Sequence, residues 1–155
     1  MSTMRNKDDR VLSVRNLNIS FDTTAGTIHA IRGVRMDLFK GETIAIVGES
    51  GSGKSVTVKT IMGLLASNGK IESGSIDYTF TNEQGKRETV DMTKLSQNQI
   101  RNRFNGKHIA MVFQDPMTSL DPTMTIGKQI MEPMILHDHL SKEAAEKKTI
   151  DLLGK

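Results

Sequence analysis

Residues 43–55 restrict this chain to a small set of folds. Thr43-Ile44-Ala45-Ile46-Val47 is a short, nearly all-apolar run, and it leads directly into Gly48-Glu49-Ser50-Gly51-Ser52-Gly53-Lys54-Ser55. Apolar residues then recur at helical spacing: Val58, Ile61, Met62 and Leu65. An apolar run of this length reads as a strand buried on both faces, as in a parallel sheet. A buried strand, a glycine-rich loop and a helix in that order make an α/β unit. The loop meets G-x-x-x-x-G-K-[ST] at every specified position.

Each position in that motif has a physical reason. Phosphate oxygens must come close to backbone, and side chains would hold them off. Gly48, Gly51 and Gly53 permit the approach and tolerate unusual φ. The N–H groups of Glu49, Ser50, Ser52 and their neighbours can then converge into an anion-binding concavity. The following helix adds the positive end of its dipole. Lys54 can reach the β- and γ-phosphates, and the Ser55 hydroxyl can ligand Mg²⁺. A chance match in a glycine-rich turn would not also bring a strand before it and a helix after it. The loop is therefore read as a site for a nucleoside triphosphate with Mg²⁺.

The rest of the chain supplies a scaffold. Residues 11–21 and 28–39 read as two strands, joined by the turn residues Asp22-Thr23-Thr24-Ala25-Gly26, and so as an antiparallel pair. Residues 69–90 hold two β-like segments around Asn82-Glu83-Gln84-Gly85. Ser96-Gln97-Asn98-Gln99 is a capping box before a short helix that ends near Phe104. Residues 108–113 are a second buried-strand candidate, with Gln114 at its end. Residues 126–136 read as a helix disturbed at Pro133. Ser141 caps a last helix running toward Leu153.

Composition excludes several classes. Cysteine is absent, so the chain holds no disulfide, thiolate zinc site or Cys-ligated cluster. No apolar run approaches the roughly 20 residues that span a bilayer. The net charge of +3 comes without a Lys/Arg cluster interleaved with aromatics, so no nucleic-acid partner is expected. The ten methionines read as adaptable core filler. His137 and His139 read as part of a solvated loop.

Two residues can be read in two ways. Phe21 closes the first strand, where it can fill the core or stack on a purine. Gln114 can be a surface residue or a ligand at the end of a buried strand.

These features together resemble the ATPase subunit of ABC transporters, and the resemblance runs from Val11 to Leu153. Residues 11–21 look like the first strand with its adenine-stacking aromatic, Phe21. Residues 48–55 look like the Walker A loop, and Val112-Phe113-Gln114-Asp115 like the Q-loop. Phe113-Gln114-Asp115-Pro116-Met117-Thr118-Ser119-Leu120-Asp121-Pro122 and Gly53-Lys54-Ser55-Val56 are similar to the oligopeptide/dipeptide importer branch. Many family members have Thr or Ser at position 56, whereas Val56 offers the α-phosphate only its backbone N–H.

The resemblance implies an α/β P-loop NTPase with a RecA-like core. An antiparallel β subdomain (11–42) would precede the core (43–125), and a helical subdomain would begin at 126–155. It implies ATP and Mg²⁺ as cofactors, with Gln114 touching the metal or its waters and sensing the γ-phosphate. Lys54 and Gln114 would then serve hydrolysis. Partners would be a second ATPase subunit, identical or not, and a membrane permease contacted through residues 115–122. A substrate-binding protein would be an indirect partner. The chain would sit peripherally on the cytoplasmic face of the membrane.

The family pattern also asks for an apolar run ending in Asp-Glu, a Leu-Ser-Gly-Gly-Gln-like signature and a later switch histidine, and the chain has none of them. It is expected to be the N-terminal portion of a longer ATPase and inactive alone. A nickel or glutathione importer, a soluble non-transport ABC protein and an inactive fragment are the alternative readings.

Overall fold

The computed structural model describes residues 9–112 and 120–154. Its described residues form two compact units, divided between Arg103 and Phe104.

The first unit is built on an antiparallel sheet. Strands β1 (Arg10–Thr23), β2 (Gly26–Phe39), β3 (Gly69–Thr81) and β4 (Arg87–Asp91) lie in the order β2-β1-β3-β4. The predicted pair is present and longer than its apolar pattern, closing at Thr23 opposite Gly26. The Thr23 hydroxyl donates to Gly26 O at 2.7 Å and so latches the turn. At the loose β3–β4 turn, Asn82 Oδ1 accepts from the N–H groups of Gln84 and Lys86. Here a side chain stands in for the missing backbone partner.

β1 is the centre of the sheet and of the core. Val14, Leu17 and Ile19 are fully buried, together with Ile76 of β3. β1 does not run straight. Its pairings with β2 and β3 both slip near Asn16, which adopts the left-handed conformation at φ 46°. Asn tolerates that region better than most residues, and an unpaired extra residue bends the strand. The bulge is bonded from both sides. Arg35 Nε donates to Asn16 Oδ1 at 2.6 Å, and Asn18 Nδ2 donates to Asn16 O at 2.7 Å. Next to it, Arg15 Nη2 donates to both carboxylate oxygens of Asp37 of β2, each at 2.6 Å. The guanidinium holds the Asp37 carboxyl below the usual carboxylate range.

Gly74 of β3 faces the bulge. A Cβ on it would stand 2.6 Å from Arg15 O, 2.6 Å from Asn16 O and 2.7 Å from the Leu17 Cα, and its φ is +103°. All three obstacles are backbone and cannot rotate away. Gly74→Ala is therefore expected to destabilise the first unit by about 2–3 kcal/mol, from overpacking plus backbone strain. Gly85→Ala has a positive φ of +75° but open space around it, and is expected to cost about 1–2 kcal/mol. Urea denaturation of the two variants checks this. Equal losses would mean the crossing at Gly74 is not as tight as described.

Helix α1 (Lys54–Ile61) follows the glycine-rich loop, and α2 (Gln97–Arg103) follows the predicted capping box. In that box Gln99 Oε1 accepts from Ser96 N–H at 2.8 Å, and Ser96 Oγ accepts from Gln99 N–H at 3.3 Å. α1 ends earlier than its apolar spacing to Leu65 suggests. Gly63, at φ +67°, closes it. Leu64 N–H reaches Lys59 O at 2.8 Å and Gly63 N–H reaches Thr60 O at 3.0 Å, which is a Schellman stop.

In the second unit, α3 (Ile126–Leu136) packs on α4 (Lys142–Leu153). Pro133 lies inside α3 as expected, and Ser141 Oγ caps α4 by accepting from Ala144 N–H at 3.3 Å.

Two predicted strands do not form among the described residues. Residues 43–47 have no regular structure, with Ile44, Ile46 and Val47 exposed, Val47 at 87%. Of residues 108–112, only Ile109 makes a bridge, to Asn105, and Val112 is exposed at 97%. A strand buried on both faces takes its hydrogen bonds and its burial from neighbouring strands. The four strands that do form are an antiparallel sheet of their own and offer no parallel neighbour.

Candidate functional site: a glycine-rich loop opening a helix

The loop and α1 keep the order predicted from sequence. Gly53 is the N-cap residue of α1, at φ 88° in the left-handed region. A Cβ there would collide with Ile31 Cδ1 and stand 3.1 Å from Ala30 O. The end of the loop is thus pressed against β2, and glycine is needed both for its φ and for that approach. Gly51 also has positive φ, at 80°, and lies in open space. Gly48 approaches the far side of the loop, where a Cβ would be 2.8 Å from Ser52 Oγ.

Among the described residues no side chain caps α1. Its first-turn N–H groups, on Lys54, Ser55 and Val56, cannot be satisfied within the helix and are left to another acceptor. The first hydrogen bond of the helix runs from Thr57 N–H to Gly53 O at 2.9 Å. Thr57 is buried, its hydroxyl also donating to Gly53 O at 3.1 Å, so the helix start is pinned from below. Uncapped N–H groups together with the helix dipole are the arrangement that can accept an anion.

Lys54 turns back over the loop. Its Nζ donates to Gly48 O at 2.7 Å and to Glu49 O at 2.6 Å, with Ser52 Oγ at 3.3 Å. The ammonium therefore lies inside the curve of residues 48–54, where the charge of a bound phosphate would fall. Glu49, Ser50 and Ser52 are exposed, and so is Ser55, the second residue of α1. Val56 is half-buried and carries no hydroxyl, and its carbonyl accepts from Thr60 Oγ1 at 2.7 Å.

Phe21 is half-buried near the end of β1. It pairs with Ile28 on one side and Gly69 on the other. A Cβ on Gly69 would be 2.8 Å from Phe21 Cε1, so the absence of a side chain there makes room for the ring. Ile19, two positions earlier on the same face, pairs with Ile31, the residue against Gly53. Phe21 thus lies on the face of the strand that leads to the glycine-rich loop, partly open to solvent.

Gln114, the remaining residue assigned to the site, lies outside the described residues, as does most of the 115–122 stretch. Of that stretch Leu120, Asp121 and Pro122 are described. Among the described residues no cluster of three or more His, Cys, Asp or Glu could hold a metal. Sequence reasoning missed Gly63 and Gly69, which shape the end of the site's helix and the seat of Phe21. An isolated glycine at the start of a strand pattern was the available signal.

Comparison with known proteins extends this description. A family model described as ABC transporter matches residues 31–154. The dipeptide transport ATP-binding protein DppD of Lactococcus lactis is 49% identical over 147 residues, covering 94% of this chain and 39% of that protein. The oligopeptide transport ATP-binding protein OppD of Bacillus subtilis is 50% identical over 145 residues, 93% of this chain and 38% of that protein. OppD of Escherichia coli is 41% identical over 145 residues, 94% of this chain and 40% of that protein. The chain spans about two fifths of the length of these curated relatives. Among solved structures, the dimeric ATP-binding cassette MJ0796, in a post-hydrolysis state with ADP and Pi, superposes with a TM-score of 0.66 at 22% identity. That match covers 92% of this chain and 56% of the other, and establishes the fold class expected from the sequence.

Proposed function

The chain belongs to the ABC transporter family, and we propose that it supplies the ATP-binding part of an importer ATPase that powers peptide uptake. The observation that carries this is the glycine-rich loop on the uncapped start of α1, with the Lys54 ammonium held over it. Residues 48–56 would hold the triphosphate through backbone N–H groups and Lys54. Phe21 would stack on the adenine ring. The names of the relatives, dipeptide and oligopeptide transport ATP-binding proteins, support peptides as the transported class.

Mg²⁺ fits the donors present. It prefers hard oxygen ligands, keeps several waters and binds through substrate phosphates. Ser55 offers an exposed hydroxyl at the start of α1, and Gln114 offers a carbonyl oxygen. The ion would neutralise charge on the phosphates, while the protein's part is to position them. The β region 11–42, the core 43–125 and the helical segment 126–155 are the proposed subdomains.

A second ATPase subunit would complete the site, and a membrane permease would dock on residues 115–122. A substrate-binding protein would deliver peptide to the permease. Among the described residues no helix is long and apolar enough to cross a membrane. The proposed location is peripheral, on the cytoplasmic face.

The test is Gln114→Ala in the assembled transporter. Nucleotide affinity is expected to stay within about twofold, because the loop holds the phosphates. Permease-stimulated hydrolysis is expected to fall by about 10-fold or more, because the metal and the subunit contact both lose a ligand. Titration with a fluorescent ATP analogue and phosphate release with and without permease measure the two. Unchanged stimulation would remove Gln114 from the site.

A further inference from the structure

We propose that Asn68 is a positioning residue for base recognition, because it pins the end of β1 and with it the Phe21 ring. The inference rests on the stacking role proposed above for Phe21, and names what holds that ring where a purine would meet it.

The ladder between β1 and β3 ends at the pair Phe21–Gly69. One step further, Asp22 and Asn68 are still bonded twice. Asn68 O accepts from Asp22 N–H at 2.9 Å, and Asn68 Nδ2 donates to Asp22 O at 3.0 Å. A side-chain amide thus supplies the second bond of a pair that would otherwise need a second backbone N–H. Asp22 is held from β2 as well, its Oδ1 accepting from Thr27 Oγ1 at 2.9 Å. Phe21 is therefore followed by a residue fixed through its N–H, its carbonyl and its carboxylate, and its own backbone is kept from fraying with the strand end.

Asn68 stands at a corner that also belongs to the phosphate site. α1 leads through residues 62–68 into β3. The corner is a tight turn with Gly69 N–H on Ala66 O at 2.8 Å, and Gln97 Nε2 of α2 donates to Leu65 O at 2.8 Å. A Cβ on Gly69 would stand 2.8 Å from both Leu65 Cγ and Phe21 Cε1, so the two side chains converge over that glycine. The ring is seated against the exit of the helix whose start carries the glycine-rich loop. Fixing it there before binding removes ordering cost from stacking. Asn68 itself is exposed, and the core of the unit lies elsewhere, at Val14, Leu17, Ile19 and Ile76. Its two bonds set where the strand end sits, and Asn68 would act on the base only through Phe21.

The experiment uses the complete ATPase without permease. Displacement of a fluorescent ATP analogue by ATP and by inorganic tripolyphosphate, both with Mg²⁺, gives two affinities whose ratio reports recognition of the base. Wild type, Phe21→Ala, Asn68→Ala, Asn68→Asp and the Phe21→Ala, Asn68→Ala double variant are compared, each with a thermal melt. Phe21→Ala is expected to weaken ATP binding about 10-fold by removing the stack, and Asn68→Ala about 3- to 5-fold by loosening it. Tripolyphosphate affinity and melting temperature should stay near wild type in both. Asn68→Asp keeps the shape but sets a carboxylate oxygen against Asp22 O, and is expected to be at least as impaired as Asn68→Ala. Adding Asn68→Ala to Phe21→Ala should weaken ATP no further, since no ring remains to be positioned. If Phe21→Ala lowers the ratio and both Asn68 variants keep it, the role of Asn68 is overturned and stacking by Phe21 stands. If Phe21→Ala keeps the wild-type ratio, the stacking reading falls and the inference with it. If Asn68→Ala weakens both ligands equally, or adds its full effect on top of Phe21→Ala, it acts on the unit at large and the inference is overturned.

Discussion

Replacing Lys54 by Ala is expected to weaken triphosphate binding by about 100-fold or more while leaving the fold intact. A charge-assisted hydrogen bond contributes about 1.5–3 kcal/mol, and in the proposed site Lys54 would make such bonds to two phosphates. Its ammonium also ties Gly48 O and Glu49 O together, so the loop loses an internal brace along with a ligand. The fold should survive, because the side chain is half-buried and the partners of its head group among the described residues all lie in the loop. Titration with a fluorescent ATP analogue, alongside circular dichroism, measures both. Equal affinity in the two proteins would take Lys54 out of its assigned role. Loss of secondary structure would show that the brace matters more than the charge.

Residues 1–155 expressed by themselves are expected to release no phosphate above background. Phosphoryl transfer needs an in-line water and a metal held from more than one side. The sequence offers Ser55 and Gln114 toward Mg²⁺, and none of its apolar runs ends in the Asp-Glu pair that would hold the ion and orient the water. Residues 43–47 add a second difficulty. Ile44 and Ile46 are 38% and 40% exposed and Val47 is 87% exposed, in a segment with strand-forming composition and, among the described residues, no strand partner. Such a segment templates association with other copies. The polypeptide should therefore self-associate, and a version with the length of its relatives should be monomeric or dimeric and active. Phosphate release and light scattering on the two proteins decide it. Mg²⁺-dependent hydrolysis by a monomeric 1–155 polypeptide, abolished by Lys54→Ala, would sink this expectation.

Local chemistry determined what can be read from neighbours in the chain. The start of α1 at Lys54, the Ser96–Gln99 box, the Ser141 cap, α3 with Pro133 inside it and the β1–β2 pair all follow from residues a few positions apart. Each depends on capping, turn or periodic signals whose partners lie within one turn of helix or one hairpin. The glycine-rich motif belongs with them, since its residues are consecutive in the chain. Tertiary structure alone decided the rest. Asn16 as a bulge needed Gly74 opposite it, 58 positions away, to make room for the crossing. The seat of Phe21 needed Gly69 on the neighbouring strand, and the end of the loop needed Ile31 of β2 against Gly53. The apolar runs at 43–47 and 108–112 show the same dependence from the other side. Their composition favours an extended, buried strand, but extension is stabilised only by hydrogen bonds from strands alongside. A hydrophobic pattern states that a segment should be covered, and only the neighbours it meets decide whether it becomes a strand.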